Sequence, residues 1–148
     1  QLNYIQRKLA DINYHVYGSN KYLEKYGYPK TINDLNKHKF ISYGKGAPSP
    51  VFNPDWALKL GMNDNKKRKP IMKVNSVMGL LLAVESGVGL AALPDYLVSS
   101  SNNLIKILPN YEGPKSEAHF VYLQSLKNVA RVQAFKNFLY SKVSEWKF

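Results

Sequence analysis

Two small polar residues, Asn75 and Ser76, stand directly ahead of the apolar run VMGLLLAV (77–84). Side chains of this kind, placed before an apolar helix, accept hydrogen bonds from the first backbone amides, which have no partner inside the helix. Those amides, with the positive end of the helix dipole, also receive a carboxylate, sulfate or phosphate, worth roughly 0.3–1 kcal/mol when exposed and up to ~2 kcal/mol when partly buried. The candidate chemistry is reversible anion binding. Self-capping by Ser76 stands against it and on chemistry alone comes first, because most capped helices bind nothing.

Other arrangements carry less. Gly87-Val88-Gly89-Leu90-Ala91-Ala92 fits G-x-G-x-x-A, but these glycines follow a helix and precede a strand, the reverse of the dinucleotide-binding order. Gly44-Lys45-Gly46 lacks the spacing and the Ser/Thr of a phosphate-binding loop. His15, His38 and His119 are well separated and none is set at a metal-ligand spacing. Ser49 and Ser76 lack the G-x-S-x-G context of a nucleophile, and no two carboxylates stand out as an acid/base couple. With no cysteine, thiolate metal sites, disulfides and a Cys nucleophile are excluded. The chain therefore reads as non-enzymatic, with no catalytic residue, metal or cofactor.

Several elements must position the 75–77 turn. INYHVYGS (12–19) alternates with a period of two and predicts a strand. Ser19 then caps a short helix NKYLEKY, which Gly27 ends, and Thr31 with Asp34 predicts a second brief helix through about Lys37. KFISY reads as a strand, and GKGAPSPVFNP (44–54) as a surface loop. WALKL, with Trp56, Leu58 and Leu60 on one face, and KPIMKV (69–74) read as a hairpin whose solvated tip is the basic cluster in NDNKKRK. The helix from Val77 to about Ser86 is apolar on every side, which predicts cover from neighbours all round. Gly87 stops it, and LAAL (90–93) is a short buried strand ending at Pro94, so the segment predicts a βαβ unit with a parallel strand pair and right-handed crossover. DYLVSS is a short helix or turn, and LIKIL (104–108) and AHFVYLQ (118–124) are strands. Val129, Val132, Phe135, Leu139, Val143 and Trp146 form the stripe of a last amphipathic helix.

The 148 residues suffice for one compact domain, or one plus part of a second. The longest apolar run, Leu80–Val84, stops at Glu85, far short of the ~18 residues that span a bilayer, so the chain reads as soluble. The net charge of +11 would favour a polyanion if concentrated on one face, but the lysines are scattered along the sequence. The sequence opens inside an ongoing pattern without an initiator Met and reads as a fragment of something longer.

VNSVMGLLLAVESGVGLAALPDYLV (74–98) closely resembles a segment of LysR-type transcriptional regulators in which a strand leads to Asn-Ser, an Ala/Leu-rich helix, a Gly-hydrophobic-Gly turn and a strand closing on Leu-Pro. INYHVYGSNKYLEKYGYPKTINDLNKHKFISY (12–43) resembles the stretch where that family's chain crosses into its second lobe, and 104–143 is similar to its last strands and final helix. Nearly the whole chain is covered.

The resemblance implies an α/β, periplasmic-binding-protein-like effector-binding domain of two lobes, with a small molecule held between them. On that mapping, residues 1–16 are the hinge strand and a remnant of the first lobe. Residues 17–117 are a complete second lobe, and 118–148 are the return strand and C-terminal helix of a partial first lobe. The effector-binding residues implied are Asn75, Ser76 and Val77, with Ser42, Tyr43 and Gly44 facing the same cleft. Partners implied are a small-molecule effector, toward which the basic chain and the helix start favour an anion, a second copy in a homo-oligomer, and DNA only through a winged helix-turn-helix. That domain and most of the first lobe are missing from the sequence, by trimming or by degeneration of the gene. The implied location is the cytoplasm. A transport-type solute receptor of the same fold, and an enzyme with its catalytic residues elsewhere, stay open as alternatives.

Overall fold

The computed structural model describes residues 3–44, 53, 55–63, 66–99 and 101–145. In chain order these form β1 (Tyr4–Ile12), β2 (Tyr14–Ser19), α1 (Asn20–Tyr26), a 3-10 helix (Ile32–Lys37), β3 (Ile41–Tyr43) and α2 (Trp56–Lys59). There follow β4 (Met72–Val74), α3 (Val77–Glu85), β5 (Ala91–Pro94), α4 (Asp95–Val98), β6 (Leu104–Ile107), β7 (Ser116–Leu123) and α5 (Ala130–Ser144). The chain divides into two units, Asn13–Lys115 and the pair of segments Gln1–Ile12 and Ser116–Phe148.

In the larger unit β2 is paired antiparallel with β5 on one side and β6 on the other, while β3 and β4 run parallel. A parallel bridge between Phe40 and Leu90, with Ile41 N donating to the Leu90 carbonyl at 2.8 Å, joins the two sets in the order β4-β3-β5-β2-β6. The βαβ expectation is thereby refined. β4 and β5 both run parallel to β3 and flank it, so the connection through α3 crosses one intervening strand instead of joining neighbours.

Capping residues fix the helix starts. Ser19 Oγ accepts from Tyr22 N at 3.3 Å, and Gly27, at φ 87°, closes α1. Thr31 and Asp34 form a reciprocal capping box, Asp34 Oδ2 accepting from Thr31 N at 2.8 Å. The main core lies where α3 covers the sheet: Leu80, Leu81, Ala83 and Val84 pack with Tyr17, Ile41, Ala91, Leu93 and Val98. Because strand side chains alternate, Ile41 and Tyr43 reach this core while Ser42 points to the other face. Expected cover on every side of α3 is not found: Met78 and Leu82, one turn apart, are 51% and 58% exposed.

The expected WALKL–KPIMKV hairpin is replaced by other structure. Trp56–Lys59 is a single helical turn, and β4 takes β3 as its partner, in parallel. The indole of Trp56 is buried against Gly113, where a Cβ would stand 2.5 Å from Trp56 Cε2. The basic cluster is solvated only in part: Lys66, Lys67 and Lys69 are exposed, and Arg68 is not. Arg68 is buried and its Nη1 donates to the Leu60 carbonyl at 2.8 Å, its Nε to Asn36 Oδ1 at 3.0 Å, and Lys67 pairs with Asp55 at 2.6 Å. Carbonyls left over at the end of the turn capture the guanidinium, a fork of donors suited to several acceptors at once. Asp64 and Asn65 in that cluster, Lys45, Gly46 and Ser49 in the expected 44–54 loop, and Trp146 lie outside the described residues.

In the smaller unit β1 pairs antiparallel with β7 from Tyr4↔Leu123 to Ile12↔Ser116. The Tyr140 hydroxyl of α5 donates to the Lys8 carbonyl at 2.9 Å, and Phe135 meets Phe120 edge-on at 5.9 Å. The predicted stripe of α5 is only half-buried, with Phe135 still 52% exposed.

Candidate functional site

The ends of β3 and β4 and the start of α3 come together. Parallel register sets Ser42 beside Lys73 and Tyr43 beside Val74, and Gly44 N continues the ladder to the Val74 carbonyl at 2.7 Å. The Tyr43 hydroxyl then donates to the Asn75 carbonyl at 2.9 Å. Gly44, Lys73, Val74 and Asn75 line an open concavity of about 560 Å³. It sits at the carboxyl ends of parallel strands, the edge where open α/β sheets place ligands.

Ser76 is the N-cap of α3, with extended backbone at φ −139° and ψ 133°. Its Oγ accepts from Gly79 N at 3.3 Å and its carbonyl from Leu80 N at 3.0 Å. Self-capping therefore occurs, yet it satisfies only part of the helix end. The amides of Val77 and Met78 have no acceptor among the described residues. Lys73 lines the same concavity, and the helix start with its free amides follows directly on Asn75 at the edge of it.

Of the residues named from sequence, Gly44 and Asn75 line the concavity, Tyr43 braces it and Ser76 with Val77 forms the helix start. Ser42 is not among the lining residues. It is 4% exposed and its Oγ has no hydrogen-bond partner, which leaves a buried hydroxyl beside Lys73 in the register. Lys73 and Val74 were missed as lining residues, because only the parallel pairing of β4 with β3 brings them to Gly44.

A second polar cluster lies inside the larger unit. Asp95, at the start of α4, accepts from Tyr17 at 2.9 Å and Lys106 at 3.0 Å, and its Oδ1 lies 2.8 Å from His15 Nδ1. Burial alone pushes the Asp95 carboxyl up, but the hydrogen bonds from His15, Lys106 and Tyr17 outweigh it and hold the group below its ordinary range. Burial, then the carboxylate beside it, raises the Tyr17 phenol. His15 and Asp95 make a couple of the kind found in hydrolases, but no Ser or Thr hydroxyl is hydrogen-bonded to His15 among the described residues, and both side chains are sealed from solvent. The cluster ties β2, β6 and α4 together.

Among the described residues no group of three or more His, Asp or Glu side chains is placed to hold a metal ion, and no helix is long and apolar enough to cross a membrane.

The sequence profile of the LysR substrate binding domain matches residues 2–144. An uncharacterized HTH-type transcriptional regulator of Haemophilus influenzae is 34% identical over 123 residues, a match covering 80% of this chain and 41% of that protein. An HTH-type transcriptional regulator of Xanthomonas campestris pv. campestris is 25% identical over 146 residues, covering 96% of this chain and 42% of the relative. Among solved structures, the regulatory domain of CrgA, a LysR-type transcriptional regulator from Neisseria meningitidis, matches with a TM-score of 0.77 at 24% identity. That match covers 95% of this chain and 69% of the other, and it bears on the fold. The chain spans less than half the length of these two curated relatives.

Proposed function

Because the chain belongs to the LysR substrate binding domain family, we propose that it is the effector-sensing part of a cytoplasmic transcriptional regulator, non-catalytic, which binds a small anionic metabolite at the start of α3. The anion accepts from the amides of Val77 and Met78 beside Asn75 and Ser76, the Lys73 ammonium neutralises it, and Tyr43 and Gly44 form the adjoining wall, with Ser42 buried behind them. The effector changes DNA contact made through a helix-turn-helix of the longer protein, in a homo-oligomer. The regulator names of the relatives speak for this reading over a transport receptor.

One observation carries the site: two unpaired helix-start amides adjoin a concavity that already holds a lysine. Its energy is bounded. An anion at a partly buried helix start gains up to ~2 kcal/mol, whereas moving a two-state protein from 1:99 to 99:1 takes about 5.5 kcal/mol of differential binding. The effector must therefore make further contacts that differ between the states. Replacing Ser76 with Phe fills the helix mouth: effector response is lost with the fold intact. An unchanged response removes Ser76 from the site.

A further inference from the structure

The candidate site occupies the carboxyl ends of β3 and β4, and the amino ends of the same strands gather charge that the site does not use. Lys39 immediately precedes the Phe40 bridge and Lys69 lies just ahead of β4, both exposed. Lys21 and Lys25, one turn apart on α1, are exposed as well. The stem of Lys21 lies by the turn that ends α3, where a Cβ on Gly87 would stand 3.5 Å from Lys21 Cδ. Gly89, two residues on, packs on the Lys39 carbonyl, 2.7 Å from an ideal Cβ. These approaches, with Ile71 N donating to the Phe40 carbonyl at 2.8 Å, set Lys21, Lys39 and Lys69 at one end of the larger unit's sheet, although they are scattered in sequence.

Between two of them stands an aromatic ring. Tyr26 is 39% exposed, with Lys39 Nζ 5.0 Å and Lys25 Nζ 5.4 Å from its centre, and Lys39 Nζ donates to its hydroxyl at 3.2 Å. None of Lys21, Lys25, Lys39 and Lys69 forms an ion pair with a carboxylate among the described residues, and Glu24 is the one acid on α1. Uncompensated ammonium groups in a row repel one another unless a partner supplies the opposite charge.

We propose that this lysine and tyrosine edge is a docking surface for the phosphate backbone of duplex DNA, separate from the effector site. A row of lysines is a set of point charges without the fork that reads base edges, so the association is sequence-neutral and releases counterions. Choosing DNA among polyanions rests on the regulator reading above; the charge of the edge does not.

The test is binding of the 148-residue chain to a random-sequence duplex, monitored by fluorescence anisotropy across a salt series. The triple variant Lys25→Gln/Lys39→Gln/Lys69→Gln should weaken binding and flatten the slope of log K against log salt by about 0.9 for each phosphate that is no longer neutralised. The control Lys127→Gln/Arg131→Gln/Lys142→Gln removes the same charge from α5 and its approach and should keep the slope. The proposal is overturned if the chain does not bind duplex at low salt, or if the control weakens binding as much as the edge variant does. Equal binding to vesicles containing phosphatidylserine, at matched charge, overturns the assignment to DNA. A chain that ignores duplex but still responds to small carboxylates around Gly44 and Val77 refutes this surface and leaves the effector reading standing.

Discussion

The Tyr43 hydroxyl donates to the backbone carbonyl of Asn75 at 2.9 Å, across 32 residues of sequence. The end of β3 thereby holds the turn that leads into α3, and the amides of Val77 and Met78 are aimed by a contact outside their own helix. Tyr43→Phe removes that bond and keeps the ring against the core. Stability should fall by about 0.5–1.5 kcal/mol in urea unfolding, and affinity for an anionic effector should fall with it. A variant with full affinity would show that the turn keeps its place without the phenol.

Ser76 serves the helix before it serves any ligand. Ser76→Ala removes the cap to Gly79. It should cost about 1 kcal/mol of stability, and Ser76→Gly only a few tenths, both read from urea midpoints.

Gly44 gives a cleaner handle on the site, because nothing among the described residues requires a glycine there. A Cβ would meet Val74 carbonyl carbon and oxygen at 3.6 Å, an ordinary contact. Gly44→Ala should leave the stability within about 0.5 kcal/mol of the parent in thermal unfolding. Gly44→Leu, which puts a large side chain on a residue that lines the concavity, should weaken ligand binding at least tenfold by isothermal titration.

The buried Asp95 sets an acid limit. Its carboxyl is lower in the folded chain than in the unfolded one. The stability it supplies is therefore complete above the unfolded value of about 3.9 and is lost as pH falls through the lower folded value. Urea midpoints should hold steady through mild acid and drop below about pH 4. Asp95→Ala, which strands His15, Tyr17 and Lys106, should cost about 3–5 kcal/mol and remove this component of the acid limb. A pH profile unchanged in the variant would assign the acid loss to other carboxylates.

Arg68 is the strongest case for structure in a residue that sequence places among surface charges. It donates toward the carbonyls of Ala57, Leu58 and Leu60 and lies 5.5 Å from the Phe40 ring centre. Arg68→Lys keeps the charge and gives up the fork, so it should destabilise by about 1–3 kcal/mol in thermal unfolding.

What was legible in the sequence was local. Ser19, Thr31 and Ser76 announce their helices because a cap needs only its own side chain and an amide two or three residues ahead. Gly27 and Gly87 mark stops for the same reason, each at positive φ. WALKL was misread because Trp56, Leu58 and Leu60 fit a period of two over five residues, while burial on Gly113 and the Arg68 hydrogen bonds, both distant in sequence, decide for a turn of helix. Strand partners were illegible for the same reason: nothing near Met72 states that it lies beside Ile41, so Lys73 could not be placed beside Ser42 or in the concavity. The Asn75–Ser76 turn could be found, and its neighbours could not.

The most direct test of the central claim is an amide-resolved NMR titration of the chain with a panel of small mono- and dicarboxylates. Saturable shifts centred on Gly44, Asn75, Val77 and Met78, abolished in Gly44→Leu, are the predicted result. Carboxylates that bind while leaving those amides unmoved would contradict it.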